Sequence, residues 1–409
     1  MAITDKKKGV WGLDQTFNKI NQGSIWEYSG PNDPNQLWIW GDDQWGQLGQ
    51  KELVGDRSSP VRIPGEWDKL WRLSRTEAYQ MAAAKTAGSL WVWGFNNIGV
   101  LGQGEGGATA TQYSSPVQIP GTTWNKVHVG SNSAYALKTD GTLWTWGDGE
   151  YGELGHNQAN PGFDGLSSPT QVPSKAGTTW TYLSGGDSAC NAINSAGEWY
   201  SWGRYYYGAP FNASLNNNRS SPTQIPGTDW AFVDYSNVCG AAIKTNGTLW
   251  TFGGNNNGAL GINEQGNWPA MTTSRSSPTQ VPGTTWSKCY CLTDAMYAFK
   301  TDGTLWTWGH NASGQLGLNQ PTSTRYSSPV QLPGTTWSSA YMDFSPHKQG
   351  VLAIKTDGSL WSWGKNQSGS LGLNNETQYS SPTQIGSATH WDVCAISGGP
   401  APSAMALTT

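Results

Sequence analysis

Histidine, cysteine and closely spaced carboxylates are the residue types that most often carry out chemistry, and in this chain they are scattered. The cysteines show no CxxC spacing and the histidines no HxxxH spacing, which are typical of zinc sites. Nucleophile-elbow and Walker motifs are also missing, and no glycine-rich run opens the helix that a dinucleotide-binding fingerprint needs. We therefore predict no metal site, no cofactor and no enzymatic activity. The residues concerned are Cys190, Cys239, Cys289, Cys291, Cys394, His128, His156, His310, His347 and His390.

Two acidic runs are the remaining candidates for binding a cation. They are Asp42-Asp43 and the group Asp148, Glu150 and Glu153. Carboxylate oxygens suit Ca²⁺ and Mg²⁺, but solvated loop carboxylates are much commoner than cation sites. The cysteines, in turn, are expected to be small buried hydrophobic residues on strands.

Aromatic residues in polar loops are the candidates for contact with a partner protein or a glycan. Aromatic rings stack on sugars and fill partner pockets, and Tyr and Trp are favoured at interfaces. The alternative is that these rings cover a neighbouring part of the same protein, because most large aromatic side chains are buried. The candidates are Trp45, Tyr205, Tyr206, Tyr207, Phe211 and Trp268.

The overall composition argues against two classes of partner. Charged residues make up 13% of the 409 residues and the formal net charge is -4, so no basic field is available for a phosphate backbone. No stretch is long and apolar enough to span a membrane, and Lys6, Lys7 and Lys8 are not followed by the apolar core of a secretory signal. We predict neither nucleic-acid binding nor membrane insertion.

A tryptophan-rich segment, Leu143–Gly147 (LWTWG), recurs seven times and organises the chain. Copies at a steady period are the mark of a repeat architecture. Around each copy the sequence predicts four short strands, among them Ala134–Thr139 and Thr142–Trp146 joined by Asp140-Gly141, a strong type I′ hairpin signal. The closing glycines of the seven copies are Gly41, Gly94, Gly147, Gly203, Gly253, Gly309 and Gly364.

The faces of this segment indicate how the sheets pack. Alternation along a strand places Trp144 and Trp146 on one face and Leu143 and Thr145 on the other, so both faces are largely apolar. A blade of a β-propeller, which lies between two neighbours, has such an environment. We predict an all-β, seven-bladed β-propeller over residues 36–409.

The two ends of the repeat region predict a closed ring. Ala404–Thr409 matches the strand Ala134–Thr139 but stops where its hairpin turn should follow, and the missing partner strand is Leu37–Gly41. Pairing of the N- and C-terminal strands would complete one blade and leave only short, protected edges.

The chain resembles the regulator-of-chromosome-condensation repeat family, whose members form seven-bladed propellers. The residues that carry the resemblance are the WG-x-N-x-x-G-x-L-G runs, such as Trp93–Gly102 and Trp308–Gly317, with the Ser-Ser-Pro and Ala-x-Lys-Thr-Asp-Gly segments. The family's best-known activity, exchange of nucleotide on a small GTPase, is what the resemblance implies as one alternative. Gly-Trp-Arg-His-Thr runs of a plant photoreceptor with this fold are missing.

Residues 1–35 stand outside the repeats and predict a docking arm with one short helix. Leu13, Phe17 and Ile20 share one helical face, between Asp14 as N-cap and Gly23 as C-terminal stop. Gly9–Leu13 (GVWGL), followed by Trp26, resembles the leader of structural proteins of tailed phages. The arm residues are Trp11, Leu13, Phe17, Ile20 and Trp26.

Taken together, these patterns lead to one expectation and one alternative. We expect a non-enzymatic virion structural or host-attachment protein, anchored to other virion proteins by residues 1–35, with propeller loops contacting a host surface protein or glycan. The alternative is a cytoplasmic propeller scaffold or regulator that binds a protein partner, with GTPase exchange as one form.

Overall fold

The computed structural model describes fourteen stretches of the chain. They form seven four-stranded antiparallel sheets, the blades of a closed ring, so the predicted all-β, seven-bladed propeller is confirmed. Its only helical segment within these stretches is a one-turn 3-10 helix, Gln367–Gly369. The described residues are 35–51, 55–70, 79–85, 88–96, 98–105, 111–130, 132–158, 165–186, 188–204, 218–236, 238–266, 273–345, 350–396 and 403–408.

Strands are numbered along the chain and blades I to VII around the ring. The strands are β1 (Leu37–Gly41), β2 (Arg57–Ile63), β3 (Lys69–Leu70), β4 (Gln80–Lys85), β5 (Ser89–Asn96), β6 (Thr111–Gln118), β7 (Trp124–Val129), β8 (Ser133–Lys138), β9 (Leu143–Gly147), β10 (Leu166–Val172), β11 (Trp180–Gly185), β12 (Ala189–Asn194), β13 (Trp199–Gly203), β14 (Arg219–Ile225), β15 (Trp230–Tyr235), β16 (Cys239–Lys244), β17 (Leu249–Gly253), β18 (Arg275–Val281), β19 (Trp286–Cys291), β20 (Ala295–Lys300), β21 (Leu305–His310), β22 (Arg325–Gln331), β23 (Trp337–Ser345), β24 (Gly350–Lys355), β25 (Leu360–Gly364), β26 (Tyr379–Gln384), β27 (Trp391–Ile396) and β28 (Ser403–Thr408).

Six blades are each built from four consecutive strands, and blade I combines the two ends of the repeat region. Blade II holds β3 to β6, blade III β7 to β10, and so on to blade VII with β23 to β26, whereas blade I has the order β2-β1-β28-β27. The first strand of each consecutive set is innermost, since β11, β15 and β19 contact one another in sequence. The fourth strand is outermost.

Closure of the ring occurs where the sequence predicted it. Strand β1 pairs antiparallel with β28, from Leu37 opposite Leu407 to Gly41 opposite Ser403. The pairing continues beyond the strand ends, where the Asn35 N–H donates to the Thr408 carbonyl at 2.8 Å. The predicted arm helix lies outside the described residues, and the division into residues 1–35 and 36–409 stays a prediction.

The hairpin turn between the second and third strands differs in type from the prediction. A type I′ turn needs positive φ at both central residues, but in blade III only Gly141 has it, with φ 79°, and Asp140 does not. The Gly141 N–H donates to Lys138 O, and the Lys138 N–H to Thr142 O. This is a three-residue loop, and Asp140 Oδ1 accepts from the Thr142 N–H and hydroxyl, which favours the looser turn.

Both faces of the LWTWG strand are buried between blades, as its pattern predicted. In β9 the side chains of Leu143, Thr145 and Trp146 are fully buried. Trp146 packs with Val100 of blade II, and Leu143 packs with Leu183 of blade IV. All five cysteines are buried on strands and none forms a disulfide, again as predicted.

Neighbouring blades are joined by one repeated hydrogen bond. The second tryptophan of the repeat donates its indole N–H to a carbonyl in the loop of the preceding blade, and the N···O distances are 2.8 to 3.0 Å. Both groups are buried, so each would be costly to leave without a partner. The donor–acceptor pairs are Trp40–Ser370, Trp93–Gln47, Trp146–Val100, Trp202–Glu153, Trp308–Ala259 and Trp363–Gln315.

Two glycines of each loop make this junction possible. The Leu-Gly glycine lies against the next blade's indole: a Cβ on Gly102, where φ is 64°, would lie 2.9 Å from Trp146 Nε1. The earlier glycine lies against the Ser-Ser-Pro segment of the same neighbour, and a Cβ on Gly99 would lie 2.7 Å from the Ser167 Cα. The WG-x-N-x-x-G-x-L-G run is therefore an inter-blade contact motif, in which both glycines serve the neighbouring sheet.

Near the hairpin turns, at the end of the ring opposite these loops, a lysine lies between two indoles in five blades. In blade III the Lys138 ammonium is 4.6 Å from the ring centre of Trp124 and 4.3 Å from that of Trp144. Such cation–π contacts are worth up to about 2 kcal/mol when shielded from water. The lysine of the Ala-x-Lys-Thr-Asp-Gly segment thus stabilises its own blade. The five lysines are Lys85, Lys138, Lys244, Lys300 and Lys355.

The junction between blades IV and V is built differently. Phe252 replaces the indole donor, and its ring lies 5.3 Å from that of Trp199, which occupies the position of the repeat's leucine. Phe252 is also stacked on Tyr235 at 6.2 Å. A side chain on Gly240 would collide with the Phe252 ring, so Gly240 opens the space that the ring fills. Aromatic packing replaces the hydrogen bond here.

Loop III, the loop between the third and fourth strands of blade III, contains a buried acid at the position where the corresponding loops of blades I and VI have glutamine. In loop I, Gln47 accepts from the Trp45 N–H at 2.7 Å and donates to the Asp42 carboxylate. Glu153 takes the same place, accepts from the Tyr151 N–H at 2.8 Å and is 1% exposed. Burial, reinforced by the negative charge of Asp148, raises the pKa of Glu153 to about 8. The protonated acid is therefore the form that the fold accommodates.

We expect Gly102→Ala to destabilise the ring more than Gly104→Ala. Both glycines have positive φ, 64° and 78°, so both substitutions carry the left-handed backbone cost of about 1–2 kcal/mol. At Gly104 the nearest atom is Ser168 Oγ at 3.7 Å, whereas Gly102 meets the indole at 2.9 Å. Urea unfolding should show an additional loss of about 1–3 kcal/mol for Gly102→Ala. Equal losses would contradict the inter-blade role of Gly102.

We expect Glu153→Gln to abolish part of the pH dependence of stability. Because the folded-state pKa of Glu153 is about 8, above the unfolded value of 4.5, its stabilising contribution is complete below pH 4.5 and is lost as pH rises to 8. Between pH 5 and 8 the free energy of unfolding of the variant, measured with urea, should therefore rise relative to that of the wild type by on the order of 2 kcal/mol. Gln47→Glu is the reciprocal control and should introduce the same loss into loop I.

Candidate functional site

The two ends of the ring carry different structures. One end, the hairpin face, has the turns between second and third strands. The other, the loop face, has the longer loops between third and fourth strands, which begin after the WG pair of each blade. Loops in such positions vary most easily and most often carry function, because the rigid sheets hold their ends. A binding site is therefore expected on the loop face.

Trp45, the predicted candidate of loop I, lies on the loop face at the junction with blade II. Its ring is 4.4 Å from that of Phe95 and 6.0 Å from that of Tyr79, and all three side chains are half-buried. The ring thus covers a neighbouring blade, which was the alternative considered, and still leaves part of the cluster in contact with solvent. Trp45, Tyr79 and Phe95 form the first aromatic platform.

A second platform occupies the equivalent place between blades III and IV. Tyr151 stands at the same loop position as Trp45, and the Arg204 guanidinium lies 4.3 Å from its ring centre. Arg204 in turn has the position of Phe95, directly after the WG pair. Both side chains are half-buried.

Most other loops have small or aliphatic residues at this position. They carry Ile98, Asn257, Ser313 and Ser368, none of which supplies a ring. Tyr151 was not predicted as a site residue, although the sequence places it four residues before the Leu-Gly glycine, the same spacing as that of Trp45. Arg204, Phe95 and Tyr79 were missed because their contacts join different blades.

The remaining predicted residues lie outside the described part of the chain. This applies to the aromatic candidates Tyr205, Tyr206, Tyr207, Phe211 and Trp268. It also applies to the arm residues Trp11, Leu13, Phe17, Ile20 and Trp26. Trp45 alone among the predicted candidates therefore has a described environment.

Two carboxylic acids near the platforms, Asp42 and Asp148, have raised pKa values. Burial raises the pKa of Asp42 to about 6, against hydrogen bonds from the Gln44 N–H and the Gln47 amide that lower it. Burial also raises the pKa of Asp148. Each acid is used by its own loop, because Asp148 Oδ1 accepts from the Glu150 N–H at 3.0 Å. Across the described stretches, no group of three metal-ligating side chains could hold a metal ion.

Blade VI places a carboxylate and an imidazole close together without pairing them. Burial raises the pKa of Asp294 to about 6, although the Arg325 charge opposes the shift, and burial lowers the pKa of His310. The two residues are joined by a backbone hydrogen bond from His310 N to Asp294 O at 2.8 Å. An acid–base pair would need a bond between the side chains, and this geometry does not supply one.

Family comparison places known repeats on several blades. The description "Regulator of chromosome condensation (RCC1) repeat" matches residues 140–193, 302–339 and 357–404, and a second description of the same repeat matches residues 124–153. These matches cover the inter-blade loops and the Ser-Ser-Pro segments described above.

Three relatives illustrate the range of proteins that contain similar sequences. The Arabidopsis thaliana ultraviolet-B receptor UVR8 is 26% identical over 72% of this chain, and the mitochondrial RCC1 domain-containing protein RUG3 of the same plant is 23% identical over 88%. The human E3 ubiquitin-protein ligase HERC2 is 25% identical over 80% of the chain. The chain spans 64% of UVR8, 84% of RUG3 and 7% of HERC2.

Solved structures agree on the fold. Human WBSCR16 superposes with a TM-score of 0.75 at 19% identity, covering 91% of this chain and 100% of that one. Prp20p from Saccharomyces cerevisiae also gives 0.75, at 16% identity and 92% of each chain. Identities this low establish the shared propeller alone.

These findings overturn the expectation of a phage virion protein. The relatives are cellular proteins, and one of them is mitochondrial by name, so the predicted virion structural or host-attachment function is wrong. The virion location and the virion partners predicted from residues 1–35 have no support among these relatives. The error came from a leader resemblance that rested on a few residues and that no comparison supports. Within its described stretches the chain has no helix that could cross a membrane. Residues 124–193, 302–339 and 357–404 are similar to the RCC1 repeat, and the described strands form a seven-bladed β-propeller.

Proposed function

We propose that this protein is a non-catalytic scaffold or regulator that binds a protein partner through its loop face. The observation that carries the proposal is the pair of aromatic platforms at junctions I/II and III/IV. They stand at one repeated position that the inter-blade hydrogen bond and glycine contacts do not use. The other described loops have no ring there, so the fold itself does not require one.

The chemistry of the platforms suits a protein surface. Trp, Tyr and Arg are the residues enriched in interface hot spots, and Trp45, Tyr151 and Arg204 supply all three types. Each is half-buried against the next blade, so its rotamer is fixed before binding and little side-chain entropy remains to be lost. Tyr205, Tyr206 and Tyr207 directly follow Arg204 in the sequence and Phe211 comes seven residues after it, and we propose these four as further partner-binding residues.

Relatives with this propeller support a protein partner over other ligands. Prp20p is described with binding properties toward Gsp1p and histones, and yeast RCC1 is described bound to Kap60. Exchange of nucleotide on a GTPase is one form of such regulation. Ligase activity is not proposed, because the chain corresponds to 7% of HERC2. A cytoplasmic location, the alternative considered above, is compatible with cellular relatives.

Site-specific crosslinking tests where the partner binds. A photoreactive phenylalanine at position 45 or 151 should capture the same protein in cells that express the chain, and the same group at position 66 should not. Glu66 is exposed on the linker at the hairpin face, so it is a control for accessibility. Equal capture from position 66 would contradict a loop-face site.

We expect Trp45→Ala to weaken binding of the captured partner by at least about 10-fold in calorimetry, as removal of a hot-spot aromatic residue does. Gln44→Ala is the matched control, because Gln44 is exposed in the same loop, and should change affinity less than about 2-fold. Thermal melting should show that both variants remain folded. If the partner is a GTPase, release of labelled GDP should accelerate with the wild type and slow with Trp45→Ala.

A further inference from the structure

Outside the loop face, one position of the innermost strands carries side chains that the fold does not explain. It is the second residue after the tryptophan that opens each innermost strand or, in blade II, that precedes it. In blade III the Trp124 N–H donates to Gly88 O of the neighbouring hairpin turn, so this position lies near the hairpin face. Around the ring the seven residues are Lys69, Lys126, Tyr182, Phe232, Lys288, Ser339 and Val393.

From blade III to blade V these side chains contact one another in series, and Tyr290 continues the stripe into blade VI. The Lys126 ammonium lies 3.6 Å from the Tyr182 ring centre, and the Tyr182 and Phe232 rings are 5.0 Å apart. Phe232 then meets Tyr290 edge-on at 6.3 Å. Lys288 stands two residues before Tyr290 on β19 and therefore on the same side of the strand. The stripe runs across four blades with a lysine at each end.

The stripe is accessible and carries an amine without a counter-ion. Lys126, Tyr182, Phe232 and Lys288 are each half-buried, whereas the tryptophans that open these strands are at most 5% exposed. Lys288 forms no hydrogen bond or ion pair with a described residue, and its partial burial lowers the pKa of the amine. A half-buried ammonium without a carboxylate is a cost that a ligand's negative charge would remove.

The other charged groups nearby do not supply that carboxylate. On β7, β11, β15 and β19 the single acidic residue is Asp234, which is 1% exposed. Its carboxylate accepts from the Ser184 hydroxyl at 3.1 Å and from the Cys291 N–H at 2.8 Å, so it joins three innermost strands. Asp68 and Asp392 lie at the starts of the innermost strands of blades II and I, and Lys288 is in blade VI, which is not adjacent to either blade.

We propose that the stripe of Lys126, Tyr182, Phe232 and Lys288 binds an acidic segment of a protein partner. Carboxylates of the segment meet the two lysines, and an apolar or aromatic side chain lies on the two rings between them. A ligand that contacts both amines must be as long as the aromatic surface between them. The stripe therefore favours an extended acidic segment over a compact anion. This surface is separate from the loop-face platforms, so the two can be tested independently.

A labelled short peptide of repeated Glu-Glu-Phe is the probe, and fluorescence anisotropy measures its affinity for the full chain. Lys288→Met removes the charge but keeps most of the side-chain length, and we expect about 10-fold weaker binding. Lys288→Arg should bind within about 2-fold of the wild type because it keeps the charge. High salt should weaken the wild type more than Lys288→Met.

Lys69→Met is the matched control, since Lys69 has the same strand position but lies in blade II and is exposed. It should change the affinity less than about 2-fold. Equal loss in Lys69→Met, equal binding of a Lys-Lys-Phe peptide, or full competition by free glutamate would overturn the proposal. Phe232→Leu keeps an apolar core residue and should also weaken binding, which separates ring contact from charge. Trp45→Ala should leave peptide affinity unchanged whether or not the loop face binds its own partner.

Discussion

The ring depends on a hydrogen bond that crosses from one blade to the next. A buried indole N–H in the third strand and a buried loop carbonyl of the preceding blade are each other's partners at six junctions. Neither group has water as an alternative, so separation of the blades would leave both unsatisfied. Apolar packing brings the sheets together, and this bond fixes their relative position. The glycines of the loop follow from it, because a side chain there would occupy the place of the indole.

The exceptional junction shows what happens when the bond is removed. Phe252 cannot donate, so the loop of blade IV has no carbonyl that must be presented to it. That loop is also the one whose sequence departs from the Leu-Gly pattern, running from Arg204 into three tyrosines. Trp199 and Gly240 adjust the volume around Phe252, which keeps the interface packed without a polar contact. The indole donor is therefore lost at the same junction at which the loop sequence changes.

Much of the fold could be predicted because the same spacing and alternation of apolar residues is repeated in seven blades. Blade number, closure through β1 and β28, and burial of both faces of LWTWG all followed from spacing and alternation. The turn at Asp140 could not be derived in the same way, since it depends on the backbone φ of one residue. The platforms could not be found either, because Trp45 meets Phe95, and Tyr151 meets Arg204, across about fifty positions of sequence. The virion assignment failed for a different reason, which is that a short leader motif contains too few residues to identify a function.

A repeat fold confines specific function to the positions that its repeated inter-blade hydrogen bond and glycine contacts do not use. Two such positions in the described part of the ring are the loop residue before the first glycine and the second residue after the tryptophan at the start of the innermost strand. The first places Trp45 and Tyr151 beside carboxylates whose pKa values are raised by burial, such as Asp42 and Asp148. The second places Lys126 and Lys288 beside neutral rings. Because the two surfaces lie toward opposite ends of the ring and differ in charge, each can change without disturbing the contacts that hold the blades together.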